Sequence, residues 1–221
     1  MKKSVLVLFS LMHFTLLAQN NELINQIALK LKQGKTTVSD VLTDEAYMHL
    51  HPETAFREVI RLNANEAHIR LTSYKEPGER ITVKGTIVDQ SGKAQSNVII
   101  YVYQTSHKGW YGIDRPHFRM ANGDHGHARI FGYIKSDAAG AFSFETIKPQ
   151  GYPDSDLPAH IHIHLQTKEG KHLPAPLELL FEDDKRLTAE RRNSALGSGF
   201  LISKNSGTTQ HPVYSYRLIT G

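Results

Sequence analysis

Three histidines alternate with aliphatic residues in the stretch LPAHIHIHL, which covers residues 157–165. Side chains on a β-strand alternate between its two faces, so His160, His162 and His164 point to one side and the aliphatic residues point to the other. Neighbours on one face of a strand lie about 6.6 Å apart, so two imidazoles can reach one metal ion. The pattern therefore predicts a His-x-His metal clip, with a polar exposed strand face as the alternative.

A metal ion needs more ligands than two imidazoles, and the chain has no cysteine to supply them. The remaining ligand types are His, Asp, Glu and, for a hard trivalent ion, the phenolate of Tyr. Tyr152 stands in a loop rich in Pro and Gly, eight residues before His160, and Tyr111 stands in another glycine-flanked loop. Each tyrosine is a candidate ligand, and packing in a loop corner is the alternative for each of them.

Short segments rich in β-branched and aromatic residues follow residue 78 and are separated by turn-like sequences. They predict strands at 81–89, 97–104, 130–136, 141–147, 160–166, 177–183 and 213–219. No long helical pattern separates these segments. We therefore predict a mainly β fold, an antiparallel β-sandwich over residues 76–221.

Residues 19–75 show a different pattern and predict a short N-terminal helical arm that packs on the sandwich. Apolar residues at helical spacing predict one helix over 21–34. A second short helix is predicted within 37–53, with Thr43 or Asp44 as a cap.

The first 18 residues consist of a start with two lysines, an almost uncharged apolar run, and Ala18 before a polar segment. This is the layout of a secretory signal peptide, and the run is short for a membrane span; an uncleaved anchor is the alternative. We expect an exported protein, periplasmic or extracellular, without a membrane partner after cleavage. Without Lys2 and Lys3 the chain carries 24 basic and 22 acidic side chains, a net charge of +2, which excludes a nucleic-acid footprint.

Three stretches, taken in order, resemble the successive motifs of the intradiol ring-cleavage dioxygenases, the catechol and protocatechuate dioxygenase family. They are KGTIVDQSGKAQSNVIIYVYQTSHKGWYG, GYIKSDAAGAFSFETIKPQGYP and PAHIHIHL, within residues 80–183. The resemblance implies a β-sandwich that holds one Fe(III) ion through two tyrosines and two histidines. On this chain the matching residues are Tyr111, Tyr152, His160 and His162.

The resemblance also implies an activity. A catechol-type substrate and dioxygen would be the small-molecule partners, and the ring would be cleaved between its two hydroxylated carbons to give a muconate-type product. Tyr152 would serve both as a ligand and as the base that takes up a substrate proton. No organic cofactor is implied, and a second copy of the chain is a candidate partner.

The sequence departs from the family pattern at two positions. The catabolic enzymes of the family carry an arginine three residues before the first of the paired histidines, where this chain has Leu157, and a glutamine on the next strand, where it has Glu178. One positive charge is lost and one negative charge is gained beside the predicted metal. Arg129, or else Arg115, is the candidate replacement cation; the alternatives are a shifted substrate preference and a weakly catalytic site. Leu157, Glu178 and His164, which lies beyond the family pattern, are candidate substrate-pocket residues.

Two other functional classes share parts of the pattern. A secreted binding module of the transthyretin-like or carboxypeptidase-associated type has a similar strand pattern, although it has no reason to keep two tyrosines and two histidines together. A divalent-metal hydrolase could use the His-x-His strand with a carboxylate from Glu178, Asp154 or Asp156.

Two further polar segments are predicted to lie outside the metal site. His117, His125 and His127 with Asp124 are interpreted as the rim of the pocket, because nothing fixes the spacing that a second metal site needs. The charged segment 183–194 is predicted to form a solvated helix or loop face.

Overall fold

The structure, a computed structural model, describes residues 18–112, 128–176 and 178–220. The predicted signal peptide up to residue 17, the histidine-rich loop and Arg115 lie outside these residues. In the described ranges no helix is long and apolar enough to cross a membrane.

The part of the chain before the sandwich is mostly helical. Helix α1 covers 18–32 and is followed by Gly34 with a φ of 65°, a left-handed position that glycine adopts without strain. The remaining helices here are α2, Val38–Thr43, a 3₁₀ helix, Glu45–Leu50, and α3, Thr54–Leu62.

The second predicted helix is therefore two separate elements. Thr37 caps α2 through a reciprocal capping box with Asp40, and the carboxylate of Asp44 accepts the Ala46 N–H to start the 3₁₀ helix. Asp44 is confirmed as a cap, whereas Thr43 lies in the last turn of α2. Helix α3 was not predicted, although it covers the face of the sheet that carries the site.

Every predicted strand is present, and the described residues also contain three short strands that the sequence pattern does not predict, at 68–70, 172–173 and 201–203. The strands are β1, His68–Arg70; β2, Arg80–Asp89; β3, Ile99–Gln104; β4, Ile130–Lys135; β5, Ala141–Ile147; β6, His160–Gln166; β7, His172–Leu173; β8, Glu178–Phe181; β9, Leu201–Ser203; and β10, Val213–Thr220. Helix α4, Ala189–Gly197, connects β8 to β9. Strand β1 adds a sheet element to the segment that was predicted to be a helical arm.

The strands form two sheets, in the orders β1-β5-β2-β10 and β4-β3-β6-β8-β9, with β7 beside β6. The sheets pack face to face, and the rings of Phe181 and Tyr214 meet across the interface with centroids 4.7 Å apart. The predicted β-sandwich is confirmed. Its sheets are mixed rather than purely antiparallel, since β1–β5, β2–β10 and β8–β9 are parallel pairs. The crossover that a parallel pair requires is α4 in the case of β8 and β9.

The sheet that contains β6 is covered on both faces. All six residues of β3 are buried, because one face of this strand lies in the sandwich core and the other lies under α3. Arg57 of α3 donates a hydrogen bond of 2.6 Å to the Tyr101 hydroxyl and lies 3.7 Å from the centre of the Phe131 ring. The histidine face of β6 consequently belongs to a covered, aromatic surface.

Candidate active site

Strand β6 places its histidines as the alternating pattern predicts. Ile161 and Ile163 are fully buried in the sandwich core, whereas His160 and His162 project from the opposite face. The Nε2 atoms of these two imidazoles lie 3.2 Å apart. The strand therefore brings two nitrogen donors to one point.

Two phenol oxygens complete this arrangement, and together the four atoms form a closed circuit that we call the donor ring. Its members are the hydroxyl oxygens of Tyr111 and Tyr152 and the Nε2 atoms of His160 and His162. The Tyr111 oxygen lies 2.7 Å from the Tyr152 oxygen and 2.9 Å from His162 Nε2. His160 Nε2 lies 3.2 Å from the Tyr152 oxygen. The structure thus brings together all four residues that were predicted as ligands.

The outer nitrogens of both imidazoles determine which way their lone pairs point. His160 Nδ1 lies 2.8 Å from the Pro158 carbonyl oxygen, which can only accept, so Nδ1 carries the proton and Nε2 presents a lone pair to the donor ring. His162 Nδ1 faces the Glu178 carboxylate at 3.9 Å, which favours the same tautomer. A carboxylate or carbonyl behind a histidine is the usual arrangement behind a metal-ligating imidazole.

The donor ring fits a cation. Its four atoms form four neighbouring pairs, and the two phenol hydroxyls supply at most two protons for hydrogen bonds within these pairs. The two Nε2 atoms both present lone pairs, so no proton lies between them. Donor atoms about 3 Å apart leave room for one ion at about 2 Å from each, which is the length of a metal–nitrogen bond. Two phenolate oxygens make the set hard and anionic, as a trivalent ion prefers.

The two tyrosines come from different loops that touch through glycines. Tyr111 follows β3 and is 1% exposed, and Tyr152 precedes β6 and is half-buried. Gly109 has a φ of 76°, and a Cβ there would lie 2.5 Å from the Gly151 carbonyl oxygen. The Tyr111 carbonyl also accepts the Arg129 N–H at 2.8 Å. Close backbone contact therefore fixes the distance between the two phenols.

Aromatic stacking supports the donor ring from the side. The Tyr103 ring stacks on His162 with centroids 4.4 Å apart and an angle of 11° between the planes. His164 lies two residues further along β6, beside Tyr101 at 6.0 Å and His172 at 6.5 Å. This predicted pocket residue therefore lines a neighbouring part of the same face.

Glu178 and Leu157, the two departures from the family pattern, both line a small cavity that opens onto His160. The cavity volume is about 110 Å³, and α4 forms the wall opposite the histidine, with Arg191 lining it. Leu157 is half-exposed at its edge, and Phe200 adds a second apolar side. The space suits one small ring, since drug-sized pockets measure about 300–1,000 Å³.

A larger cavity of about 690 Å³ lies elsewhere, on the outer face of the first sheet, where Lys84 and Arg217 line it. It shares no residue with the donor ring. We place the candidate site at the smaller cavity because converging donor atoms, rather than volume, determine chemistry.

Arg129 does not bring its charge to the donor ring. Its guanidinium forms two hydrogen bonds of 2.7 Å with the Glu76 carboxylate, and the two side chains are 13% and 9% exposed. The geometry therefore gives no support to Arg129 as the replacement cation. Its contact with the site is through the backbone, by the N–H donated to Tyr111.

Several residues of segment 183–194 face the site, although the sequence predicts a solvated segment there. Asp184 and Arg186 bind the backbone of the loop before β6, and Arg191 lines the cavity. The signal in the sequence was a run of mixed charges, and such runs are usually solvated.

Comparisons with known proteins find relatives among dioxygenases. A family model described as dioxygenase matches residues 55–215. Catechol 1,2-dioxygenase 2 of Acinetobacter lwoffii is 26% identical over 134 residues, which are 52% of this chain and 45% of that protein. The protocatechuate 3,4-dioxygenase beta chain of Burkholderia cepacia is 34% identical over 101 residues, 40% of this chain and 39% of that one. The chain spans less than half the length of each curated relative.

Solved structures show the same fold. An intradiol ring-cleavage dioxygenase from Tetranychus urticae superposes with a TM-score of 0.55 at 16% identity, covering 71% of this chain and 86% of that one. The dioxygenase domain of a carbohydrate-binding fusion protein from Streptomyces sp. SirexAA-E gives 0.50 at 22% identity, covering 68% and 84%.

Proposed function

The chain belongs to the family of intradiol ring-cleavage dioxygenases, and we propose that it cleaves a catechol-type ring between its two hydroxylated carbons with dioxygen, giving a muconate-type product. The observation that carries this proposal is the donor ring, in which two phenols and two imidazoles converge within 2.7–3.2 Å of one another. The family assignment disfavours both the binding module and the divalent-metal hydrolase.

We propose that the donor ring holds one Fe(III) ion, with Tyr111, Tyr152, His160 and His162 as ligands. When bound, the ferric ion would act as a Lewis acid toward the catechol and so activate its ring for reaction with dioxygen. Glu178 lies 3.9 Å from Nδ1 of His162, and one ligand atom each of His160, His162 and Glu178 lies within 4.8 Å of the other two. We propose that Glu178 orients the imidazole of His162.

Tyr152 is the better placed of the two phenols to act as a base. Tyr111 is 1% exposed and its carbonyl accepts the Arg129 N–H, whereas Tyr152 is half-buried, so its side chain has more room to turn outward. Its hydroxyl oxygen would take a proton from a catechol hydroxyl as the substrate binds. Tyr111 and the histidines would stay in place.

The small cavity would position the ring of the substrate. Leu157 and Phe200 offer apolar sides for the aromatic ring and help to exclude water, while Glu178 and Arg191 place one negative and one positive charge on the lining. The substrate itself, self-association, and export after loss of residues 1–18 stay predictions from the sequence.

The test is a visible absorption spectrum of the iron-loaded protein before and after addition of catechol. We expect a tyrosinate-to-iron band that shifts with catechol and is weakened in Tyr111→Phe and Tyr152→Phe. Tyr133→Phe is the matched control, because it removes a phenol oxygen from the same sheet face outside the donor ring. Oxygen uptake with formation of the dicarboxylate should accompany the band. A colourless protein that takes up zinc instead would refute the proposal.

A further inference from the structure

The turn between β8 and α4 is hydrogen-bonded to the loop that precedes β6. One oxygen of the Asp184 carboxylate accepts the Ala159 N–H at 2.6 Å, immediately before His160. The other oxygen accepts the Arg186 N–H at 2.7 Å, which fixes the turn itself. A single carboxylate thus joins the two segments by charge-assisted hydrogen bonds.

Arg186 holds the same loop at two other points. Its Nη1 atom donates to the Tyr152 carbonyl oxygen at 3.2 Å and lies 3.5 Å from the Leu157 carbonyl oxygen. Gly151 makes this approach possible, since a Cβ there would lie 2.5 Å from Nη1 and would also collide with the Leu157 oxygen. One guanidinium therefore bridges both ends of the loop between Tyr152 and the strand.

These contacts control the two donor-ring residues that come from this loop. The backbone at Ala159 sets the position of His160, and the neighbouring Pro158 carbonyl oxygen accepts a hydrogen bond from His160 Nδ1. The backbone at Tyr152 determines where the phenol can reach. No other part of the described chain supplies a charged side chain to the backbone of residues 151–159.

We propose that Asp184 and Arg186 are positioning residues that hold Tyr152 and His160 in the donor ring. This inference rests on the proposed function. The main chain at Tyr152 would stay clamped while its side chain turns outward for the substrate, so the phenol can return to the same place after each turnover. Partners that orient metal ligands in this way change metal affinity or activity by about 10- to 100-fold when they are removed.

The test compares Arg186→Gln, Arg186→Lys and Asp184→Asn with Lys185→Gln. Lys185 lies between the two positioning residues, and its side chain makes no hydrogen bond or ion pair within the described part of the chain, so it is the matched control. Asn at 184 can accept one N–H through its carbonyl oxygen but not both, and Lys at 186 keeps the charge without the fork of donors.

The first measurement is amide hydrogen exchange in the metal-free proteins. We expect faster exchange across residues 151–160 in Arg186→Gln and Asp184→Asn, with Lys185→Gln unchanged. Unchanged exchange in both variants would overturn the inference whether or not the protein is a dioxygenase. If Arg186→Gln does not fold, Asp184→Asn and Arg186→Lys carry the same comparison.

The second measurement uses the iron-loaded proteins. We expect the tyrosinate band of Arg186→Gln to shift, kcat/KM for catechol to fall by about 10- to 100-fold, and Arg186→Lys to recover part of both. A band and rate equal to those of Lys185→Gln would overturn the positioning role. Absence of the band from the wild-type protein would instead refute the proposed function, and the hydrogen-exchange result would still stand.

Discussion

Acid should destabilise this protein through one buried histidine. His51 is 2% exposed, stacks on Phe56 at 5.3 Å and meets the edge of Phe131 at 5.4 Å. Its Nδ1 lies 2.6 Å from the Arg129 carbonyl oxygen, to which it donates, and its Nε2 is buried without a hydrogen-bond partner in the described residues. Burial lowers the pKa of His51 from 6.5 to about 4.

The sign and size of the effect follow from this shift. The unfolded chain binds a proton at His51 near pH 6.5, whereas the folded protein does not bind it until about pH 4. The contribution to the free energy of unfolding is therefore complete above pH 6.5 and is lost as the pH falls toward 4. A shift of this size corresponds to about 3 kcal/mol, with a maximum slope of about 1.4 kcal/mol per pH unit.

The assay is urea unfolding of the metal-free wild type and His51→Gln between pH 7.5 and 4.5. The other histidines are common to both proteins, so the difference between the two stability curves isolates His51. We expect the advantage of the wild type over the variant to shrink steadily below pH 6.5. Parallel curves would refute the reasoning, because they would mean that the folded and unfolded states protonate His51 equally.

Two further changes test the surroundings of Tyr111. Glu76→Gln leaves the Arg129 guanidinium, which is only 13% exposed, without its carboxylate partner. We expect urea unfolding to show a loss of about 3–5 kcal/mol in the free energy of unfolding, partly recovered by adding Arg129→Met. A loss below about 1 kcal/mol, the size typical of exposed pairs, would contradict burial of the pair. Gly109→Ala adds a Cβ at 2.5 Å from the Gly151 carbonyl oxygen, at a φ of 76°. Gly170→Ala is the control, because Gly170 has a similar φ of 87° and nothing lies within 4 Å of its added Cβ. We expect Gly109→Ala to lose more stability than Gly170→Ala and to show a weaker iron band. Equal effects of the two alanines would exclude the steric contribution.

The alternating strands and the ligand candidates could be predicted from sequence because their signals are local. The stretch 160–166 alternates strictly, and Tyr111 and Tyr152 each stand beside glycines in recognisable loops. The alternation predicts which way His160 points. It does not predict that the β6 histidines lie next to the Tyr111 phenol, about 50 residues earlier in the chain, because that contact depends on how the strands pair.

The charged residues were harder to predict because their partners are distant in sequence. Arg129 pairs with Glu76 across 53 positions, and nothing near either residue indicates this pairing. Asp184 and Arg186 lie in a run whose composition is typical of solvent-exposed segments. The short strands β1, β7 and β9 have two or three residues each, too few for a period to be read.

The parallel pairing of β10 with β2 makes the first sheet late to form. Strand β10 pairs along its whole length, from Val213 opposite Thr82 to Thr220 opposite Asp89. The Thr220 hydroxyl also bonds to a carbonyl 132 residues earlier. Closing so long a loop costs chain entropy before any contact is gained, so such topologies fold slowly. During synthesis one edge of β2 would stay unpaired until the ribosome has produced β10. In that interval the unpaired edge can form hydrogen bonds with the strands of other chains.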